Sequence, residues 1–338
     1  MTIRELAKAA GVSPATVSRV LNADPFTSER ATEAVRRAVA ETQYKPTRRR
    51  RSSSPAVAVE PPQRRSRVAF FVTNFDPNAQ NPAYTFLMRG VTQAAKELDI
   101  DLQVDFLLAG EDIVRRVKEG NFDGLILNGS ITSEAQSQAL RGIPTVWLLG
   151  GSGRPRWGDQ VMPDNDSIGR LAADFLLRQG HSEFAYFGFD WSWFFDVRAS
   201  SFQRAIEDGG GQVACTFRVP VLRGAGQWPD RLTAARQLIA NLLKLPKRPT
   251  GLFVAEDWLT PPVYVAAAEA GVRIGTDLSI ISCNNDRARL DGLHPVPPTI
   301  DVQFERIAYR GTQLLAFRLK YESLEDRVRI SVEPTLVA

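Results

Sequence analysis

Thr16, Ser18, Arg19 and Asn22 fall on one side of a short segment whose other side carries Val17, Val20 and Leu21. Hydroxyls, an amide and a guanidinium on one helical face are groups that hydrogen-bond base edges and phosphates in a DNA groove. Ala15 joins them, small enough to allow close approach. Ser13 is placed to cap this helix, and Pro14 takes its first position, where a missing N–H costs nothing. A helix before it is expected from the capping-box spacing of Thr2 and Glu5, with Leu6, Ala9 and Ala10 as its buried face. Gly11 then breaks the chain where a positive φ is needed. Two short helices on a tight glycine turn form a helix-turn-helix, whose second helix fits a major groove. The same spacing also occurs in small helical bundles without DNA.

Charge separates the chain into two parts. Residues 1–67 hold 14 Lys/Arg and 6 Asp/Glu, a net of +8, while the remainder holds 28 and 32, a net of −4. A basic head on an acidic body implies a polyanion partner for the head alone. Length (338 residues) allows two or three domains, and 43% apolar with 24% charged residues is ordinary for a globular protein. The two cysteines, Cys215 and Cys283, form no CxxC. No disulfide framework, metal site or cofactor is expected, and isolated thiols suit a reducing cytoplasm. No apolar run approaches ~18 residues and no leader pattern opens the chain, so neither a membrane span nor export is expected.

The elements behind the head alternate in type. Apolar strands are expected at 68–73, 102–108, 124–127 and 145–149, with helices at 84–98, 112–119 and 133–140. The series restarts with helices at 168–179, 198–208, 230–243 and 262–270 and strands at 184–187, 216–220, 251–255 and 278–282. Serial βα units mean two doubly wound parallel sheets, with a cleft at the C-terminal ends of their strands. Thr73-Asn74-Phe75-Asp76 stands where a dinucleotide fingerprint would, and no phosphate loop occurs.

The string from Val12 to Asn22, V-S-x-x-T-V-S-R-V-L-N, resembles the recognition helix of the lactose/galactose-repressor (LacI/GalR) family of bacterial transcription regulators. Asn81-Pro82-x-Tyr84 with Gly90, Asp164-Asn165 with Gly169 and Ala172, and Gly180-His181 continue the likeness. The resemblance implies an all-α helix-turn-helix head (1–46) and a body (67–338) of type I periplasmic-binding-protein fold, two α/β lobes dimerising along one edge. The lobes are expected at about 67–162 with 290–318, and 163–289 with 319–338. Thr2, Ser13, Pro14, Ala15, Thr16, Ser18, Arg19 and Asn22 are the expected DNA-facing residues of the head.

Residues 47–66 depart from the family. There the segment resembles a hinge helix carrying an Ala-Arg pair and a wedging Leu; here Arg51 matches the Arg, Arg50 replaces the Ala and Ser53 falls at the Leu. Four Ser and three Pro disfavour a long helix. Arg48, Arg49, Arg50 and Arg51 either track a narrow minor groove or neutralise phosphates. Phosphate contact is the favoured reading, because no apolar wedge is present.

By the same resemblance, Arg198 sits where family members hold an effector through a guanidinium, at the opening of the helix expected over 198–208. Trp228 sits where an aromatic covers that effector. Trp191, Trp193 and Trp258 also follow strand ends, where they would either pack as a lid or face a sugar. Asp257 matches the family's Asp after this strand, Glu256 before it departs from the usual Asn-Asp pair, and Asn284 stands at a frequent Asp. Tyr84 either faces the cleft or packs. Glu256 and Asp257 are adjacent at one strand end, whereas hydrolytic carboxylates flank a bond from opposite sides, so catalysis is not expected. The favoured reading is a cytoplasmic dimeric regulator, a repressor of sugar-use genes, with operator DNA and a carbohydrate or sugar-acid effector as partners. The alternative is a carbohydrate-binding module or enzyme without a DNA role.

Overall fold

Leu6, Ala7, Val17, Val35 and Ala38 close over one another at the centre of the N-terminal unit. The computed structural model describes residues 3–21, 27, 29–42, 64–75, 83–131, 133–150, 157–190, 192–220, 230–321 and 326–338. They belong to two units, Met1–Gln63 and Arg64–Ala338. The first holds α1 (Ile3–Ala10), α2 (Pro14–Leu21) and α3 (Glu29–Thr42). Gly11 turns the chain between α1 and α2 at a φ of 66°, and the Thr16 amide donates to Ser13 Oγ at 3.1 Å, the expected cap. One expectation fails: Ala9 is exposed and Ala7 is buried. Because α1 packs on both α2 and α3, its inner face is Leu6, Ala7 and Ala10, rotated from the expected stripe.

The second unit runs β1 (Arg67–Phe75), α4 (Ala83–Glu97), β2 (Asp101–Leu108), α5 (Ile113–Gly120), β3 (Gly124–Asn128), α6 (Glu134–Leu140), β4 (Thr145–Leu148) and β5 (Asp159–Pro163). It continues through α7 (Asn165–Arg178), β6 (Glu183–Phe189), α8 (Trp193–Asp208), β7 (Gln212–Val219), α9 (Arg231–Lys244) and β8 (Gly251–Val254). A 3₁₀ turn at Asp257–Leu259 leads to α10 (Thr260–Glu269), β9 (Ser279–Cys283), α11 (Arg287–Leu290), β10 (Thr299–Asp301), α12 (Phe304–Lys320), β11 (Arg329–Val332) and β12 (Thr335–Val337). Two six-stranded sheets result, ordered β11-β5-β4-β3-β1-β2 and β12-β10-β9-β8-β6-β7. Every described pairing is parallel except β10 with β12. Central strands such as β3, β4 and β8 are buried along their whole length, as a parallel sheet covered on both faces requires.

The chain passes between the sheets three times, after β5, after β10 and after β11. The lobe segments therefore differ from the expected ones. β10 belongs to the second sheet, and β11 pairs with β5 in the first. α12 packs Ile307, Ala308 and Leu315 against Val146 and Leu148 of the first lobe. Strands as short and polar as Thr299–Asp301 and Arg329–Val332 contain no apolar run that would assign them to a sheet from sequence.

Candidate functional site

In the head, α2 separates its side chains sharply. Val17 is buried, while Ser13, Pro14, Ala15 and Arg19 are exposed and Thr16 is half-buried. The Ser13 and Thr16 hydroxyls share a 2.8 Å hydrogen bond, so both are oriented at the start of the helix. Ser18 lies on α2, but its side chain is outside the described residues. Thr2, Asn22 and Arg48, Arg49, Arg50 and Arg51 lie outside them altogether.

In the body, Arg198 does not open its helix. α8 begins at Trp193, and Arg198 sits in its second turn, only 4% exposed. The aromatic run Trp193-Phe194-Phe195 disguises that start, since bulky rings are weak helix formers. Arg198 Nε donates to Asn165 Oδ1 at 2.9 Å, and Nη1 donates to the Ala255 carbonyl at 2.8 Å and to Cys283 Sγ at 3.6 Å. Its Cζ lies 5.4 Å and 5.6 Å from the Phe194 and Phe195 ring centroids. The guanidinium is thus fixed by α7, β8 and β9 at once, and no described residue accepts from Nη2. A buried cation held this way is oriented in advance for an acceptor.

Glu256 and Asp257 stand side by side after β8 but differ in surroundings. Asp257 is buried and accepts from the Ser282 hydroxyl, from the Asp286 amide at 2.6 Å and from Thr299 Oγ1 at 3.2 Å. Those bonds tie β8 to β9 and β10, so Asp257 positions the site; its oxygens are occupied by the protein itself. Glu256 is half-buried, and no described residue donates to its carboxylate. Desolvation pushes it up to about 7, with Arg198 opposing. Burial also raises Asp257, against the three donors.

Trp258 is half-buried, with Arg231 Cζ 4.4 Å and Arg289 Cζ 5.5 Å from its ring centroid. Trp193 reaches the other lobe, since a Cβ on Gly150 would lie 3.2 Å from its ring. Tyr84 is half-buried in an aromatic cluster, with centroids 5.6 Å from Phe75 and 6.2 Å from Phe106. Asn284 (φ 113°) and Asn285 (φ 58°) are consecutive left-handed residues, a conformation Asn tolerates better than most. Both line a cavity of about 410 Å³ with Phe86, Asp301 and Phe304. The Phe86 and Phe304 rings in its lining stack on each other, 6.4 Å apart at 22°. Trp191 and Trp228 lie outside the described residues. Sequence reasoning did not single out Arg231, Arg289 or Phe304, and it named Cys283 only as an isolated thiol. Their roles come from packing between elements remote in sequence, and no local pattern marks them.

Among the described residues, no group of three His, Cys, Asp or Glu side chains is placed to hold a metal, and no helix is long and apolar enough to cross a membrane.

Residues 2–47 match the family model for bacterial regulatory proteins of the lacI family, and residues 173–338 match the periplasmic binding protein-like domain. The chain belongs to the LacI family. The ribose operon repressor of Escherichia coli (strain K12) is 25% identical to this LacI-family chain over 347 residues, covering 99% of this chain and 98% of the relative. Among solved structures, the complex of the transcriptional regulator CelR with cellobiose shares the fold at a TM-score of 0.67, 22% identity and coverage of 100% of this chain and 98% of the other. The lac repressor dimer bound to operator and an anti-inducer does so at 0.64 and 20%, with the same coverage. The curated relatives are transcriptional repressors, not enzymes.

Proposed function

We propose that this LacI-family chain is a repressor that binds a near-palindromic operator as a dimer, and that a small carbohydrate or sugar acid in the cleft between its lobes alters its DNA affinity. Residues 1–46 form the DNA-binding head and 47–66 a basic linker. The observation that carries the reading is α2, which buries Val17 while leaving Pro14, Ala15 and Arg19 exposed. A helix so arranged presents polar and small groups to a groove while its own bundle holds the other side. In the body, the oriented Arg198 and Glu256, whose carboxylate takes no hydrogen bond among the described residues, offer a donor and an acceptor, which suits vicinal hydroxyls. A second copy would cover Phe106 and Leu108 on the edge strand β2, which are 36% and 49% exposed. Closure of the lobes on the effector would then bias the spacing of two heads.

Gel shift on DNA upstream of a neighbouring sugar-use operon tests this. Retarded DNA at nanomolar protein, altered by one of a panel of sugars, is the expected result. Failure to bind any such DNA, with or without sugars, would overturn the reading.

A further inference from the structure

Two guanidinium groups from separate elements converge on one indole. Arg231 opens α9 and Arg289 lies on α11, and both sit over Trp258, which lies in the 3₁₀ turn after β8. Arg289 Nη1 also donates to Asp286 Oδ2 at 2.8 Å. Arg231 is half-buried and, among the described residues, makes no hydrogen bond or ion pair.

Arg289 has Asp286 as its counter-ion, but among the described residues no carboxylate is bonded to Arg231. Asp257 is occupied by Ser282, Thr299 and the Asp286 amide. Asp230 caps its own helix through the Leu232 and Thr233 amides. Glu256 acts on Arg231, but desolvation favours its own neutral form. Burial and the neighbouring Arg289 both work against the charged form of Arg231. An aromatic face compensates a cation only partly, and a partly desolvated guanidinium without an acceptor is costly unless something binds to it.

We infer that the effector is an anionic polyol, carrying a carboxylate or a phosphate, and that Arg231 and Arg289 receive this anionic group beside Trp258 while Arg198 and Glu256 hold the hydroxylated portion. This rests on the receptor reading above and narrows its ligand from sugars in general to sugar acids and sugar phosphates. Planar guanidinium forks match carboxylate and phosphate oxygens in pairs, and the indole holds both forks in place.

The test is calorimetric titration of the full-length protein with matched probes: D-glucose, D-gluconate and D-glucose 6-phosphate, and D-ribose with D-ribose 5-phosphate. An anionic probe is expected to bind about 10- to 100-fold more tightly than its neutral parent, the worth of a charge-assisted hydrogen bond. Arg231→Gln and Arg289→Gln are each expected to bring that ratio toward one, and Arg231→Lys to keep part of it. Unliganded melting curves establish that each variant is folded. Comparison of the acid with the phosphate tells which anion is preferred. A neutral sugar that binds as tightly as its anionic counterparts, or a ratio unchanged in both Gln variants, would overturn the inference while leaving the receptor reading intact. If none of the probes, neutral or anionic, binds, the sugar-receptor reading itself falls and takes the inference with it.

Discussion

Arg198 on α8 and Asn165 at the start of α7 meet through an Nε–Oδ1 hydrogen bond of 2.9 Å, although 33 positions separate them. Asn165 Nδ2 in turn donates to the carbonyl of Pro163 at 3.2 Å, and Pro163 is the last residue of β5 in the first sheet. One amide therefore links the candidate effector-binding guanidinium of the second lobe to a strand of the first. Asn165→Ala removes the acceptor and leaves part of a buried cation unmet, which costs about 1.5–3 kcal/mol. Effector affinity is expected to fall about 10- to 100-fold. Calorimetry checks this, and an affinity unchanged from the parent would show that the link does not hold Arg198 in its working position.

Gly169 lies on α7 where it packs directly against the backbone of α8. A Cβ there would lie 2.5 Å from the Arg198 carbonyl and 2.7 Å from the Phe202 amide. Both are backbone atoms, which cannot swing aside as a side chain does. Gly169→Ala is expected to destabilise the body by about 1–3 kcal/mol through overpacking, measured by urea unfolding. A loss below about 0.5 kcal/mol, ordinary for a surface change, would contradict the packing described.

Glu256 gives the protein a pH dependence with a definite sign. Its folded value is raised from 4.5 to about 7, so the folded state binds this proton more tightly than the unfolded chain does. The resulting stability is complete below the unfolded value and is lost as pH rises through about 7. The melting temperature is expected to decline between about pH 5 and 8, and Glu256→Gln to flatten part of that decline. Asp257, raised in the same direction, contributes the remainder. A Gln variant with the parent's full slope would remove Glu256 from this account.

Arg19 is exposed on α2, so Arg19→Ala leaves the head's core intact. It is expected to weaken operator binding by about 1–3 kcal/mol if it reads a base, with less discrimination against non-operator DNA. Replacing Arg48, Arg49, Arg50 and Arg51 with Gln should act differently, lowering the slope of log affinity against log salt by up to about 0.9 for each phosphate no longer neutralised. Fluorescence anisotropy at several salt concentrations separates the two effects, and an unchanged slope would exclude the linker from binding DNA.

Much of the fold was legible because apolar runs in a parallel sheet are continuous. Residues 68–73, 124–127 and 251–255 announced β1, β3 and β8 for that reason. β7 showed only its last residues, since its half-exposed Gln212–Val219 lacks such a run. β5, β10, β11 and β12 went unread because each is interrupted by polar residues (Asp159 and Gln160, Thr299 and Asp301, Arg329 and Ser331, Thr335) instead of forming a continuous apolar run, and depends on neighbours for its pairing. The site divides in the same way. Arg198 and Asn284 were visible by resemblance, and Ser13 by capping chemistry. Arg231 and Arg289 were not, because only the tertiary meeting of α9, α11 and Trp258 gives them a shared role. Asp257 was visible, but its internal role was not: nothing local shows that Ser282, Asp286 and Thr299 converge on it.

The central claim is that ligand in the body changes affinity for DNA at the head. The direct measurement is operator binding by fluorescence anisotropy with the full-length protein, on the DNA upstream of its own gene cluster, with and without each sugar, sugar acid and sugar phosphate that calorimetry shows to bind. The account predicts that at least one ligand shifts the DNA dissociation constant by about 5- to 150-fold, the usual range of allosteric coupling, and that Arg198→Ala loses the shift. A ligand that binds the body tightly yet leaves the DNA dissociation constant unmoved would contradict it.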